Sequence, residues 1–389
     1  RKTGADLVKY TIPSLMEVLK IWDIGASYYR FNGQYNFYEF ANGSRIYLLD
    51  AKYLPSDPMY ERFGSMQMTR GWIEEGGEFT REAKSNLQAS IGRWKNEDYG
   101  LAPKLLITCN PSNNFLFTDY YKPDKDGTMP PWKRFVKALP NDNRMLPKDY
   151  VPNLLRTLTP SQVERLVFGN WEYDDDPNWL VDYDAVCDMF TNEFIPDEGA
   201  PFISTDLAGK GRDTWVVGLW RGLCLHIPVV KGFSEGREME ETLRRLAVEH
   251  NVPRSSIVSD ADGLGFYLES YLNGIREFHG GARALAPDTY ANLKSECAFK
   301  LAELINKRKI RVICDPSTAD KLKEELTVLK SKNTNSAEQK KELISKDTMK
   351  AVLGRSPDLL DTLIMRMIFE IAPKAAGMKA ARIIMPRKR

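Results

Sequence analysis

The sequence has 389 residues, of which 42% are hydrophobic and 28% are charged, with a formal net charge of +2. That length allows two or three domains with separate cores, and the near-neutral charge excludes a strongly basic, histone-like protein. No run of 18 apolar residues occurs, so we expect no membrane span and no membrane partner. The cysteines stand alone, without CxxC spacing, which argues against a zinc site or a disulfide framework and favours a reducing compartment.

Residues 1–150 are rich in aromatic residues and in turn-forming residues. Apolar spacing predicts a helix over residues 12–20, and strand patterns at 35–40 and 45–49, separated by a turn, predict a hairpin. The apolar run at Lys104–Thr108 predicts a buried strand. We therefore expect a first domain over residues 1–150.

Residues 151–198 are rich in Pro and Asp, which indicates a linker. From residue 199 to 373, strand and helix patterns alternate, and three consecutive apolar runs separated by turns predict an antiparallel meander. Residues 330–350 are polar and lysine-rich, which predicts an exposed hairpin or loop, and residues 374–389 form a basic tail. Strands are predicted at 201–206, 215–220, 223–230, 255–260 and 310–314, and helices at 238–250, 266–272, 292–306, 319–330 and 358–371.

Three aspartates share one property, which is that each stands at the edge of an apolar element. Asp206 and Asp260 end two of the predicted strands, and Asp361 lies in the first turn of the last predicted helix. Because neighbouring strands bring their end residues together, and a helix packed on the sheet can add a third residue, we expect these carboxylates to converge. Glycines soon after Asp206 and Asp260 open the backbone to the close approach of a ligand.

Converging carboxylates suit the hydrolysis of phosphodiesters. Mg²⁺ prefers carboxylate oxygens, and two such ions about 3.5–4 Å apart activate the attacking water and stabilise the leaving oxygen. An aspartate at a strand end is often only a turn or capping residue, so a structural role stays open for each one. Asp213 and Asp262 are rival ligands, and the position of Asp358 near a helix N-terminus favours a capping role.

Three short motifs surround these aspartates, namely residues 204–206 (Ser-Thr-Asp), 258–265 (Val-Ser-Asp-Ala-Asp-Gly-Leu-Gly) and, most specifically, 354–361 (Gly-Arg-Ser-Pro-Asp-Leu-Leu-Asp). Their order resembles that of the large terminase subunits of tailed bacteriophages, which are DNA-packaging motors with an N-terminal ATPase and a C-terminal ribonuclease H-like nuclease. The resemblance covers nearly all of residues 1–373. It implies that Asp206, Asp260 and Asp361 are catalytic and bind two Mg²⁺ or Mn²⁺ ions.

The N-terminal half resembles the later part of the family's ATPase. Residues 72–79 (Trp-Ile-Glu-Glu-Gly-Gly-Glu-Phe) resemble a Walker B motif, in which Glu74 takes the place usually held by Asp and acts on Mg²⁺, while Glu75 is the catalytic base that orients water. Residues 107–111, which include Asn110, resemble the motif that couples hydrolysis to domain movement. The resemblance thus assigns Glu74, Glu75 and Asn110 to a site for ATP with Mg²⁺. Without it, Glu74 and Glu75 also fit a solvated acidic turn.

One departure from the family concerns this half. The sequence contains no Gly-x-x-x-x-Gly-Lys-Ser/Thr loop, whose backbone amides and lysine cradle the phosphates of ATP. We therefore expect the C-terminal half of a P-loop-type ATPase domain, which lacks the Walker A segment and binds ATP poorly. The fold expected for the chain is α/β, with this partial domain followed by a ribonuclease H-like nuclease domain that has a mixed sheet flanked by helices.

Duplex DNA requires cationic side chains along its phosphates. Lys210 and Arg212 follow Asp206, and Lys346 lies close in sequence to Asp361, so these three cations are the expected DNA-binding residues, although charge runs are often only solvated faces. The resemblance also implies a small terminase subunit and a portal protein as partners, self-assembly into a ring on the portal, and a virus-encoded protein in the host cytoplasm.

Three functions compete on this sequence. The first is a terminase large subunit, an endonuclease that cuts concatemeric double-stranded DNA and, when complete, drives it into a procapsid with ATP. The second is a ribonuclease H-fold nuclease or recombinase without ATPase activity; a Walker A loop upstream in the gene would decide against it. The third is a non-enzymatic interaction module with structural aspartates, which would show no metal-dependent nicking of plasmid DNA.

Overall fold

The computed structural model describes residues 1–112, 114–158, 162–172, 178–207, 214–232, 236–261, 272–332 and 339–372. Within these ranges, no helix is long and apolar enough to cross a membrane. The strands are β1 (Tyr29–Asn32), β2 (Phe37–Phe40), β3 (Arg45–Tyr47), β4 (Arg70–Glu74), β5 (Lys104–Thr108), β6 (Pro201–Asp206), β7 (Trp215–Arg221), β8 (Cys224–Lys231), β9 (Ile257–Asp260), β10 (Arg276–Phe278) and β11 (Arg311–Ile313). The α-helices are α1 (Gly4–Asp6), α2 (Ile12–Ile21), α3 (Glu61–Gly64), α4 (Arg81–Ala89), α5 (Lys122–Lys125), α6 (Tyr150–Thr157), α7 (Tyr183–Asp188), α8 (Gly236–Glu249), α9 (Leu293–Asn306), α10 (Pro316–Leu326), α11 (Lys346–Leu353), α12 (Asp358–Arg366) and α13 (Ile368–Ile371).

Two small sheets organise the N-terminal half. Strands β1, β2 and β3 pair in antiparallel order, and β2 with β3 forms the expected hairpin, whereas β1 was not predicted. Strands β4 and β5 pair in parallel beside a core that contains Phe63, Ile73 and Trp171. The prediction that β5 is buried is wrong, since its residues alternate between exposed and half-buried and Leu106 is 57% exposed. Among the described residues β5 pairs with β4 alone, so one edge of the strand has no neighbouring strand there.

Among the described residues, a six-stranded mixed sheet organises the C-terminal half, in the order β10-β9-β6-β7-β8-β11. Strands β6, β7 and β8 form the expected antiparallel meander, while β9 pairs in parallel with β6 and β11 pairs in parallel with β8. A mixed sheet with helices on both faces confirms the α/β class that was expected for this half of the chain. The short strand β10, parallel to β9, was not predicted.

Helices cover both faces of this sheet because successive side chains of a strand point to opposite sides. Along β7, Val217 belongs to a core that contains Leu243 of α8, whereas Val216 and Trp220 belong to a larger core on the other face. The larger core also contains side chains of α9, α10, α11 and α12. Burial on both faces explains why the central strands have nearly continuous apolar runs in the sequence.

Buried helices lie in two stretches that were predicted to be a linker and an exposed hairpin or loop. Helix α7 lies within the expected linker 151–198, but its Ala185 and Val186 belong to the larger core, so the packed C-terminal half begins before residue 199. Helix α11 occupies part of the expected loop at 330–350, and its Met349 is buried. Both helices are short, so few apolar residues were present to reveal a helical period. The expected helix at 266–272 lies almost wholly outside the described residues.

Candidate active site

Two neighbouring strands bring Asp206 and Asp260 to the same end of the sheet. Strands β6 and β9 are parallel, and their pairing ends with Thr205 opposite Ser259, one residue before each aspartate. Since the carboxyl ends of parallel strands meet at one edge of a sheet, both side chains reach the same crevice. There they line one cavity with a volume of about 200 Å³.

Helix α12 adds the third carboxylate to this cavity. The helix begins at Asp358 and packs against β6, so that Asp361 in its early turns faces the ends of the strands. Among the described residues, two cationic side chains also line the cavity, Lys294 from α9 and Lys346 from α11. The remaining lining residues are Phe278, Gly280, Ile364 and Met365.

Asp361 is held by both lysines. Nζ of Lys294 lies 2.6 Å from its Oδ1, and Nζ of Lys346 lies 2.8 Å from its Oδ2. Burial opposes the ionisation of this carboxyl, but the two lysines outweigh burial and hold the pKa of Asp361 below its usual value. Burial likewise opposes the charge on Lys346, whereas Asp361 and Asp206 raise the pKa of that lysine above its usual value. Asp361 is therefore an ionised carboxylate in a charge-paired setting.

Asp206 has a different environment. Its residue is 6% exposed, and its Oδ2 has no hydrogen-bond partner within the described part of the chain. Burial is the main reason that the pKa of Asp206 is raised well above its usual value, and the carboxylates of Asp361, Asp358 and Asp260 raise it further. A buried carboxylate oxygen without a partner, close to other carboxylates, is a position that a divalent cation would satisfy.

Asp358, for which a capping role was expected, accepts a hydrogen bond from outside its own helix. The backbone N–H of Thr214 donates to its Oδ2 at 2.6 Å. Because Thr214 immediately precedes β7, this bond ties the first turn of α12 to the sheet beside Asp206. The rival ligands Asp213 and Asp262 lie outside the described residues.

Glu325 on α10 supports the site and was not singled out by the sequence. Its Oε2 accepts a hydrogen bond from the backbone N–H of Leu360 at 2.8 Å, and its Oε1 pairs with Arg355. The first N–H groups of a helix have no partner within the helix, so Glu325 satisfies one of them in the turn that carries Asp361. A glutamate on an amphipathic helix gives no sequence signal for this contact.

We expect the free energy of unfolding to fall as the pH rises through the range in which Glu325 titrates. Burial raises the pKa of Glu325 from 4.5 to about 7, with Arg355 opposing the shift. The folded state therefore holds this proton more tightly than the unfolded chain, so the contribution is complete below the unfolded value and is lost as the pH passes the folded one. A pKa shift of this size corresponds to a change of about 3 kcal/mol in the free energy of unfolding. Urea unfolding at a series of pH values across this range measures the change.

Two variants separate this titration from the rest of the protein. Glu325→Gln should flatten the pH dependence over that range because the titrating group is gone. Glu324→Gln is the matched control, since Glu324 is the other carboxylate partner of Arg355, at 3.1 Å, and the slope should persist. An unchanged slope in Glu325→Gln would assign the titration to another group.

The acids of the Walker B-like motif lie at the carboxyl end of β4. Glu74 ends this strand opposite Thr108 of β5, and its Oε2 lies 3.2 Å from Nε of Arg1. Glu75 follows in the left-handed backbone region, with φ of 56°. Asn110 comes two residues after the end of β5, so it follows the parallel strand next to that of Glu74 and Glu75. Their roles toward ATP stay a prediction.

Only one of the three cations that were expected to bind DNA lies within the described residues. Lys346 lines the acidic cavity, whereas Lys210 and Arg212 lie outside the described residues. Lys294 is the cation that was missed. It lies in the first turn of a largely buried helix, where a single lysine in the sequence resembles any surface charge. Only the packing of α9 beside α12 reveals that its ammonium group meets Asp361.

No family model matches the sequence, and no curated protein matches it either. Among solved structures, the nuclease domain of the large terminase subunit of bacterial virus Sf6 is 18% identical over 49% of this chain and 98% of that chain, with a TM-score of 0.42. A mutant of the same domain with manganese is 17% identical over the same shares, with a TM-score of 0.41. The large terminase of the thermophilic bacteriophage D6E is 15% identical over 95% of this chain and 84% of that chain, with a TM-score of 0.40. The chain is thus similar to phage large terminase subunits, over about half of its length with the Sf6 domain and over nearly all of it with the D6E protein.

Proposed function

We propose that this protein is the large terminase subunit of a tailed bacteriophage, and that its C-terminal half is a metal-dependent endonuclease that cleaves concatemeric double-stranded DNA. The observation that carries the proposal is one cavity lined by Asp206, Asp260 and Asp361, from three separate elements, together with two lysines. Carboxylates that hold cations and ammonium groups that hold phosphates are the two parts that hydrolysis of a phosphodiester requires.

The donor set fits Mg²⁺ or Mn²⁺. Asp206, Asp260 and Asp361 offer hard oxygen ligands, and the buried Oδ2 of Asp206 has no partner within the described residues. These three carboxylates would hold two ions. When bound, the ions supply an activated water and stabilise the charge that develops on the phosphate.

Lys294 and Lys346 have two roles in this proposal. Without a cation, both neutralise Asp361. When that carboxylate binds a cation instead, both ammonium groups become available to the phosphate oxygens of DNA. Their side chains are 24% and 38% exposed, so a DNA strand can reach them from solvent. Glu325 holds the first turn of α12 and thereby positions Asp361.

The N-terminal half supports a second part of the proposal. Glu74, Glu75 and Asn110 lie at or just after the carboxyl ends of two adjacent parallel strands, and together with a phosphate-binding loop they would act on ATP and Mg²⁺ to drive DNA into a procapsid. Such a machine would work in the host cytoplasm with a small terminase subunit, a portal protein and further copies of this chain in a ring.

A plasmid-nicking assay tests the nuclease. The purified protein should nick supercoiled DNA with Mn²⁺ or Mg²⁺ and should not do so in EDTA. Asp260→Ala should lower the rate by roughly 10³-fold, the scale for loss of one group that acts on the transition state. The matched control is Asp320→Ala, at an exposed carboxylate of α10, which should nick at the unaltered rate.

Two outcomes would count against the proposal. Equal nicking by Asp260→Ala and the unaltered protein would remove Asp260 from the site. No nicking by folded protein at millimolar metal would contradict the endonuclease.

A further inference from the structure

A second cluster of ligand-type side chains lies at the opposite end of the large sheet. The ligand atoms of Asp197, Cys224 and His226 all lie within 4.8 Å of one another. Cys224 is the first residue of β8 and pairs with Arg221 at the end of β7, which in turn pairs with Pro201 at the start of β6. The cluster is therefore separated from Asp206 by the length of β6. It stands apart from the acidic cavity and does not depend on the proposed function.

The backbone builds this cluster from two distant segments. Cys224 and His226 are two residues apart on one strand, so their side chains leave the same face. Asp197 comes from the segment before β6, which the β7–β8 turn holds through a hydrogen bond from the N–H of Gly222 to the carbonyl of Ala200 at 3.0 Å.

Two glycines permit this close packing. Gly199 has φ of 110° and Gly222 has φ of 58°, both in the region that favours glycine. A Cβ on Gly222 would lie 2.9 Å from the carbonyl oxygen of Glu198, so a larger residue would push the segment that carries Asp197 away. On the other side, Nη1 of Arg311 donates to the carbonyl of Ile195 at 3.2 Å. The position of Asp197 is thus fixed from both sides.

The three side chains already contact one another. Nε2 of His226 lies 2.8 Å from Oδ2 of Asp197, and Sγ of Cys224 lies within 4.8 Å of the ligand atoms of both residues. The imidazole of His226 is hydrogen-bonded to Asp197 rather than to the thiol of Cys224, which argues against a cysteine-based hydrolytic site, where the imidazole activates the thiol.

We propose that Asp197, Cys224 and His226 bind one zinc ion, with water in the fourth position. Thiolate sulfur, imidazole nitrogen and carboxylate oxygen are the ligand types of tetrahedral zinc sites, and sulfur selects against Mg²⁺. Cys224 is fully buried, whereas Asp197 and His226 are partly exposed, so the ion and its water have access from solvent. The ion would join the segment before β6 to the start of β8.

Sequence spacing concealed this site. A Cys-x-His pair is not a zinc motif by itself, and Asp197 is separated from the pair by two strands, so the isolated cysteines argued against zinc. Binding replaces the S–H bond of Cys224 by a Zn–S bond and releases that proton to solvent, with no change in oxidation state.

Titration of the full chain with Co²⁺ tests the proposal, because a cobalt–thiolate bond gives a charge-transfer absorption that carboxylate sites do not give. The unaltered protein should show this band with a stoichiometry of one. Cys224→Ser should abolish the band, and His226→Ala should weaken cobalt binding by about tenfold or more. Cys314→Ser, at the half-buried cysteine that follows β11, should leave band and affinity unchanged.

The proposal would be overturned if the folded, unaltered protein showed no thiolate band at saturating Co²⁺. It would also be overturned if the band persisted in Cys224→Ser. If Cys224→Ser does not fold, His226→Ala decides, and unchanged cobalt affinity in that variant overturns the site. Calorimetry of Zn²⁺ binding in two buffers of different ionisation enthalpy should show about one proton released per ion at neutral pH. Binding without proton release would contradict a thiolate ligand.

Discussion

Replacement of Asp206 by Asn should abolish DNA cleavage without lowering the thermal stability of the metal-free protein. The carboxylate is buried and lies near other carboxylates, so without a cation its ionised form opposes folding. Asn has nearly the same shape and no charge, so the melting temperature in EDTA should stay the same or rise. Cleavage should fall by roughly 10³-fold or more, because a ligand of the bound cations is lost.

Manganese provides the second measurement for this variant. A ligand that binds only the folded state raises the melting temperature, so Mn²⁺ should stabilise the unaltered protein, and Asp206→Asn should lose most of that gain. The matched control is Asp320→Asn, an exposed position at which cleavage and the Mn²⁺ effect should both persist. A lower melting temperature in EDTA together with lost cleavage would indicate a structural role for Asp206. Full cleavage by the variant would remove it from the site.

The convergence of Asp206, Asp260 and Asp361 could be predicted because each position follows from a local pattern. Asp206 and Asp260 end short apolar runs, and parallel pairing of β6 with β9 then places both at one edge. Asp361 lies in a helix with a strong apolar face, which has to pack against the sheet. Periodicity and the ends of elements therefore predicted that these carboxylates meet, whereas their roles as metal ligands stay a prediction.

The residues that support the acids could not be predicted, because their roles arise from tertiary packing. Lys294 and Glu325 look like ordinary surface charges on amphipathic helices, yet Lys294 pairs with Asp361 and Glu325 bonds the helical turn that carries it. The run Lys104–Thr108 shows the converse error, since an apolar run predicts burial but cannot reveal how many neighbours its sheet provides. Both the contacts of these charged residues and the exposure of this strand depend on partners that are distant in sequence.

Replacement of Asp188 by Asn should lower the free energy of unfolding by about 3–5 kcal/mol, the usual cost of breaking a buried ion pair from one side. Asp188 is fully buried, with Nζ of Lys2 at 2.6 Å from its Oδ1 and Nε of Arg308 at 2.8 Å from its Oδ2. Lys2 is buried as well, and the other partner of its ammonium group is the neutral carbonyl of Glu78 at 3.2 Å. The variant would leave the buried ammonium group of Lys2 without the carboxylate that is paired with it, which urea unfolding detects as a lower midpoint.

The pair Lys52–Glu193 is the natural control, because at 3.1 Å it joins the same two halves of the chain at the surface. Glu193 is 70% exposed, so Glu193→Gln should cost less than about 1 kcal/mol. Lys2→Met added to Asp188→Asn should recover part of the loss, because it removes the uncompensated charge. Equal losses of stability in Asp188→Asn and Glu193→Gln would show that Asp188 does not act through its charge. The same conclusion would follow if Lys2→Met added to Asp188→Asn recovered no stability. Since Lys2 also donates to the carbonyl of Glu78, next to the acidic end of β4, recovery would show that the buried Lys2–Asp188 ion pair stabilises the contact between that end and α7.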